Sequence, residues 1–211
     1  MNKQTHSPVD SLPRINPLSA SIRRVLAAGL TLGLSNAEAG ELPIPKAAFA
    51  TLGRADQSVM GNKMTINQYT NQAILNWDKF NIGKDSTVEF KQPGANAVAL
   101  NRIYQSDPSK ILGNLKANGQ VFLLNQNGFM FGRDSKVNVN SLVVSSLNMS
   151  DDTFERGFTK VFNQDGRAAL EGSGEIYQKG ADGQYLLNEK GEKIKTRIEF
   201  EAGAKVNVAQ S

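Results

Sequence analysis

At 211 residues the chain is long enough for one domain with a substantial core plus flanking segments. It has no Cys and one His, His6, which lies ahead of a segment read below as removed; a zinc site and a Ser-His-Asp or Cys-His nucleophile are therefore excluded, and neither cofactor nor enzymatic activity is expected. Of the formal charge of +4, the leader contributes +2 (Lys3, Arg14, Arg23 and Arg24 against Asp10 and Glu38), and no basic run follows Arg24, so nucleic acid is not an expected partner.

Residues 1–39 read as an extended signal peptide. Arg23-Arg24 precedes an apolar stretch from Val25 to Leu34, and small residues follow at Ala37 and Ala39. This is the order of a secretory signal, and the apolar run is too short to span a bilayer. Cleavage after Ala39, leaving Gly40, is the expected processing step, with the general secretory machinery of the inner membrane as the first partner. Pro8, Pro13 and Pro17 argue against a continuous helix ahead of Arg23.

After Gly40 apolar side chains recur two apart, as at Met64 and Ile66, Val88 and Phe90, Val98 and Leu100, Val137 and Val139, Ile198 and Phe200, and Val206 and Val208. Period two predicts strands with one buried face, and Gly, Asn and Asp between them predict turns. Gly83-Lys84-Asp85-Ser86-Thr87-Val88-Glu89-Phe90 is echoed 49 residues later by Gly132-Arg133-Asp134-Ser135-Lys136-Val137-Asn138-Val139, and a shortened copy, Gly203-Ala204-Lys205-Val206-Asn207-Val208, ends the series. Further turn-plus-strand units start at Gly119, Gly166 and Gly183. The echo suits two β-helix coils of about two dozen residues each, while recurrence by composition alone would suit a β-sandwich.

Frequent Asn, including Asn76, Asn81, Asn125, Asn127 and Asn138, suggests side chains that ladder at turns and satisfy backbone groups. Trp77, between Leu75 and Phe80, reads as core or cap packing in preference to a carbohydrate platform. Ser150 with Asp151, Asp152 and Glu155 reads as the N-cap and acidic first turn of a short helix, and not as a catalytic carboxylate pair. Beyond about residue 160 the chain becomes polar. The lysines around Gly191 there suggest an exposed hairpin or peripheral insertion.

The runs Ala73-Ile74-Leu75-Asn76-Trp77-Asp78-Lys79-Phe80-Asn81-Ile82-Gly83, Ala97-Val98-Ala99-Leu100-Asn101-Arg102-Ile103, Asp107-Pro108-Ser109-Lys110-Ile111-Leu112-Gly113 and Asn118-Gly119-Gln120-Val121-Phe122-Leu123-Leu124-Asn125 resemble, in order and spacing, the N-terminal secretion domain of filamentous haemagglutinin-like two-partner secretion exoproteins. The resemblance covers about residues 42 to 158. It implies an all-β, right-handed parallel β-helix (solenoid) with an N-terminal cap and small extra-helical β elements at residues 40–160. Residues 161–211 are then a polar β-rich continuation, the start of a truncated passenger or an insertion.

By the same resemblance the domain targets a large adhesin, haemagglutinin or contact-dependent toxin for secretion from a Gram-negative bacterium, by way of the periplasm to the cell surface or medium. A cognate outer-membrane β-barrel transporter recognises it, while unfolded, through POTRA domains, and once outside it nucleates folding. A host or bacterial surface receptor is a further possible partner. The alternatives are a stand-alone glycan-binding adhesin and a carbohydrate-active β-helix protein. The family's Asn-Pro-Asn-Gly turn falls at Asn125-Gln126-Asn127-Gly128, the candidate for transporter recognition, with Gln126 in place of Pro. Asn-Gly tolerates left-handed conformations, so the turn should survive without the φ restraint that Pro supplies.

Overall fold

The computed structural model describes residues 40–156, 177–180 and 182–209. The apolar leader segment, Ala37, Ala39 and the unit beginning at Gly166 lie outside them. The strands are β1 (Ile44–Leu52), β2 (Ala55–Met60), β3 (Lys63–Gln68), β4 (Gln72–Lys79), β5 (Thr87–Lys91), β6 (Val98–Ile103), β7 (Ser109–Ile111), β8 (Asn114–Ala117), β9 (Gln120–Asn125), β10 (Phe129–Phe131), β11 (Lys136–Val139), β12 (Ser141–Ser145), β13 (Ile198–Phe200) and β14 (Lys205–Val208). Among the described residues one helix, α1, spans Asp151–Glu155.

The strands form three sheets ordered β1-β4-β6-β9-β12, β13-β10-β7 and β14-β11-β8-β5-β3-β2. The chain visits the five-stranded, three-stranded and six-stranded sheets in turn, and one such circuit is a coil of a parallel β-helix. Gln72 aligns with Val98, Val98 with Gln120 and Gln120 with Ser141, so successive coils differ by 26, 22 and 21 residues. The sandwich alternative is thereby set aside.

The 49-residue echo is two coils. Thr87 of β5 and Lys136 of β11 both align with Asn114 of β8, the rung between them. The shortened copy is the following rung, with Lys136 to Val139 aligned residue for residue with Lys205 to Val208. That last step covers 69 residues because residues 146–197 interrupt the fourth coil between β12 and β13.

Stacking explains why these sequences form strands. Inward side chains lie in columns, Met64 over Val88 over Leu115 over Val137, all at most 2% exposed, so each coil covers the apolar face of its neighbour. Trp77 is fully buried, edge-on to Phe49 and Phe80 with ring centroids 5.0 Å away in both cases. Its Nε1 donates to Asn101 Oδ1 at 2.9 Å, and Asn101 Nδ2 donates to the Ala99 and Phe122 carbonyls, so this interior amide is satisfied. The Asn side chains mostly bond backbone and other groups of adjacent coils, and not one another.

At the N-terminal end the parallel order stops. β1 runs antiparallel on β4 and β2 antiparallel on β3, forming the cap. The five-stranded sheet is buried on both faces, because Ile74, Leu100 and Phe122 point outward and are covered by Met149 and Phe154 around α1. As the sequence indicates, Ser150 caps this helix, accepting from Thr153 N at 3.1 Å. Arg102 ties it down by donating to the Asp151 carboxylate and the Met149 carbonyl.

The unit at Gly183 departs from expectation. It does not stack as a coil but belongs to an antiparallel meander outside the solenoid, bridged at Tyr177 and Lys195, Lys179 and Tyr185, and Leu187 and Lys193. Leu187 is 58% exposed, since no neighbouring coil lies over it. The turn at Gly191, with positive φ and its N–H bonded to Asn188 O, gives the hairpin that the clustered lysines suggested.

Candidate functional site

The Asn125-Gln126-Asn127-Gly128 segment is the corner of the third coil, between β9 and β10. Gly128 N donates to Asn125 O at 2.9 Å, closing a four-residue turn, and Asn127 N donates to Asn125 Oδ1 at 2.9 Å. Among the described residues only glycines have positive φ, so Gln126 and Asn127 stay on the right-handed side and the left-handed step falls on Gly128, at φ +94°. Gln126 therefore fills the Pro position without distorting the turn.

Both flanks of this corner are engaged. Towards the second coil, Asn125 Nδ2 donates to Asp107 O and Ser109 Oγ, and Asn127 Nδ2 donates to Gln105 O at 2.8 Å. On the other side, Lys179 N of the meander donates to Asn127 Oδ1 at 2.7 Å, and just ahead of β13 Thr196 Oγ1 donates to Gln126 O and Arg197 O accepts from Phe129 N. Asn125 is 1% and Asn127 6% exposed, whereas Gln126 is exposed. A Cβ on Gly128 would lie 2.1 Å from Arg197 O, so close stacking of the coils requires glycine here quite apart from φ.

A groove of about 470 Å³ runs beside the corner, lined among others by Arg102, Tyr104, Gln105, Asn127, Asp151 and Lys179. Gln105 was not singled out in the sequence, yet it organises the neighbouring corner. Its Oε1 accepts from Phe80 N at 2.7 Å, and its Nε2 donates to Asn81 Oδ1 and Pro108 O. The signal that would have found it is the coil length, because Gln105 lies 22 residues before Asn127, the spacing of the two coils.

The acidic residues near α1 are structural, Asp151 with Arg102 and Asp152 with Arg156 at 2.7 Å. Among the described residues no group of three or more His, Cys, Asp or Glu is gathered to hold a metal ion. Gly40, the expected first mature residue, is exposed.

A family model described as the TPS secretion domain matches residues 44–210. The chain is 41% identical over 106 residues to a heme/hemopexin-binding protein of Haemophilus influenzae strain Rd, covering 50% of this chain and 12% of that protein. It is 36% identical over 104 residues to a second Haemophilus influenzae heme/hemopexin-binding protein, covering 49% and 11%. It therefore spans only about an eighth of the length of these relatives. Among solved structures, the crystal structure of the HMW1 secretion domain from Haemophilus influenzae is similar at 36% identity and TM-score 0.49, over 51% of this chain and 28% of that one.

Proposed function

Because the chain belongs to the TPS secretion domain family, we propose that it delivers a larger exoprotein to a cognate outer-membrane transporter, with Asn125 to Gly128 read before folding and hidden by it. The protein is a secretion domain of the two-partner type, and its task on this reading is binding and folding, not catalysis. The POTRA domains of the transporter are the partner in the periplasm, and the product reaches the cell surface or medium of a Gram-negative bacterium.

The observation that supports this order of events is the burial of Asn125 and Asn127, both hydrogen-bonded to the second coil and Asn127 also to Lys179 of the meander. A folded domain offers only Gln126 of the turn to a partner. Recognition of both Asn side chains thus requires an unfolded chain, and closure of the third and fourth coils removes them from the transporter. Folding outside the cell then opposes return, with no nucleotide required at the outer membrane.

The test is secretion into the medium with and without the transporter, comparing the chain with an Asn125→Ala/Asn127→Ala variant. The reading predicts transporter-dependent export, about tenfold or more reduced in the variant, and weaker capture of the urea-unfolded variant by isolated POTRA domains; a tenfold loss corresponds to about 1.4 kcal/mol of recognition. Transporter-independent export would overturn the function. Equal capture of both unfolded chains would reduce the turn to a coil corner.

A further inference from the structure

We propose that the outer face of the six-stranded sheet binds a linear anionic polysaccharide, through lysines supplied one per coil. Each of the five consecutive parallel strands places one lysine outward: Lys63 on β3, Lys91 on β5, Lys116 on β8, Lys136 on β11 and Lys205 on β14. Their outward direction follows from alternation, since the flanking Met64, Val88, Phe90, Leu115 and Val137 are the buried inner columns. Lys91, Lys116, Lys136 and Lys205 are exposed.

With rungs about 4.8 Å apart, the lysines span about 19 Å across the coils at three register positions: Lys63, Lys136 and Lys205 stand in one column, Lys116 beside Glu89 and Asn138 in the next, and Lys91 beside Asn67 in the third. The single acid facing outward on these five strands is Glu89, held by Lys63 at 2.5 Å. On the adjoining β2, Asp56 is engaged by Asn67 Nδ2 and Tyr69 OH. Four lysines are left to an anion from outside. Lysines scattered along the sequence are thus gathered on one face by a period that no local window reveals.

The remaining outward residues of the five strands decide the partner. All are Thr or Asn, such as Thr65, Thr87, Asn114 and Asn138, which can exchange hydrogen bonds with sugar hydroxyls. Those strands present no outward aromatic ring on which bases of a single-stranded nucleic acid would stack. They present no outward apolar side chain to enter a bilayer. A shallow groove of about 350 Å³, bordered by Lys91, Lys116, Asn118 and Asn138 and by the Glu89 that Lys63 holds, lies among them. A chain bearing sulfate or carboxylate groups at intervals, laid across the rungs, meets both the charges and the amides.

The measurement is binding of heparin to the full chain at several NaCl concentrations, beside neutral dextran, an oligo-dT strand and phosphatidylglycerol vesicles. The expected result is heparin binding that weakens steeply with salt, no dextran binding, and weaker binding of the other two anions. A Lys91→Gln/Lys116→Gln/Lys136→Gln variant should bind about tenfold or more weakly, with the salt slope shallower by about three. Its far-ultraviolet circular dichroism and thermal midpoint report whether it is folded, and a Lys193→Gln/Lys195→Gln variant of the meander should bind as the parent does. Equal heparin affinity and slope in the triple variant overturns the proposal. So does a loss in the meander variant as large as in the triple one, or tighter binding of oligo-dT or vesicles than of heparin.

Discussion

The tetrapeptide Lys-Val-Asn-Val occurs twice, as β11 and as β14, with opposite fates. Val137 and Val139 are 0% and 1% exposed, while Val206 and Val208 are 39% and 49% exposed. The two strands are adjacent, parallel and in register, so neither backbone nor local sequence distinguishes them. What differs is the next rung. β11 lies between β8 and β14, whereas β14 has β11 on one side and forms the edge of the sheet. Burial in a solenoid is thus a property conferred by a neighbour, and the same valine is core or surface according to how many coils have been laid down.

The sharpest way to break this comparison is at the other end, where the antiparallel cap replaces a missing neighbour. Trp77 joins Phe49 of β1 to the interior, and Trp77→Ala should cost about 3–5 kcal/mol in urea unfolding, from lost burial, the cavity and the orphaned Asn101 amide. A midpoint close to that of the parent would show that the cap is not anchored there. Next in size, Val137→Ala should cost about 2 kcal/mol and Val206→Ala less than half as much, although the two replace the same residue in the same tetrapeptide. Equal losses would mean that β14 is covered in solution.

The smallest effect is electrostatic. The Glu89 carboxyl lies below its ordinary range because it accepts from Lys63, an effect that burial opposes and the charges of Lys91 and Lys116 reinforce. A carboxylate depressed in the folded state contributes stability that is complete above its unfolded value and is lost as pH falls through the folded one. Glu89→Gln should therefore lower stability slightly at neutral pH and match the parent once acid has protonated Glu89, so that the decline on the acid side of the ordinary glutamate range is flatter. An unaltered acid limb would remove Glu89 from that balance.

Much of the fold was legible because inner columns impose a sequence rule. Val88, Val137 and Val206 had to be apolar and preceded by a Gly-containing turn, so the coil wrote itself into the chain as an echo. The short helix was legible for a local reason, the Ser150 cap and its acidic first turn. Gln105, Gln92 and Asn101 were not, because a buried amide is defined largely by partners one coil away; Gln92 Nε2 donates to Gln68 Oε1 and Gln120 O, neither of which a window around residue 92 identifies. The lysine face was hidden likewise, each member isolated in sequence and brought onto one face only by stacking. Of the candidate turn, the sequence held its residues and the need for Gly128. It could not tell that Asn125 and Asn127 would be buried against the second coil and, for Asn127, the meander.

The interruption of the fourth coil by residues 146–197 leaves from β12 and returns at β13, above Leu124 and Phe129 of the third coil. Those two positions are already joined underneath by the Asn125 turn, so the ends of the excursion are held together whatever lies between them. Lengthening a flexible excursion held in this way costs only about 0.6 kcal/mol for each doubling. This corner is consequently a graft point: a foreign module spliced in between α1 and the meander would leave the cover over Ile74, Leu100 and Phe122, the bond from Lys179 to Asn127 and the register of every coil as they were.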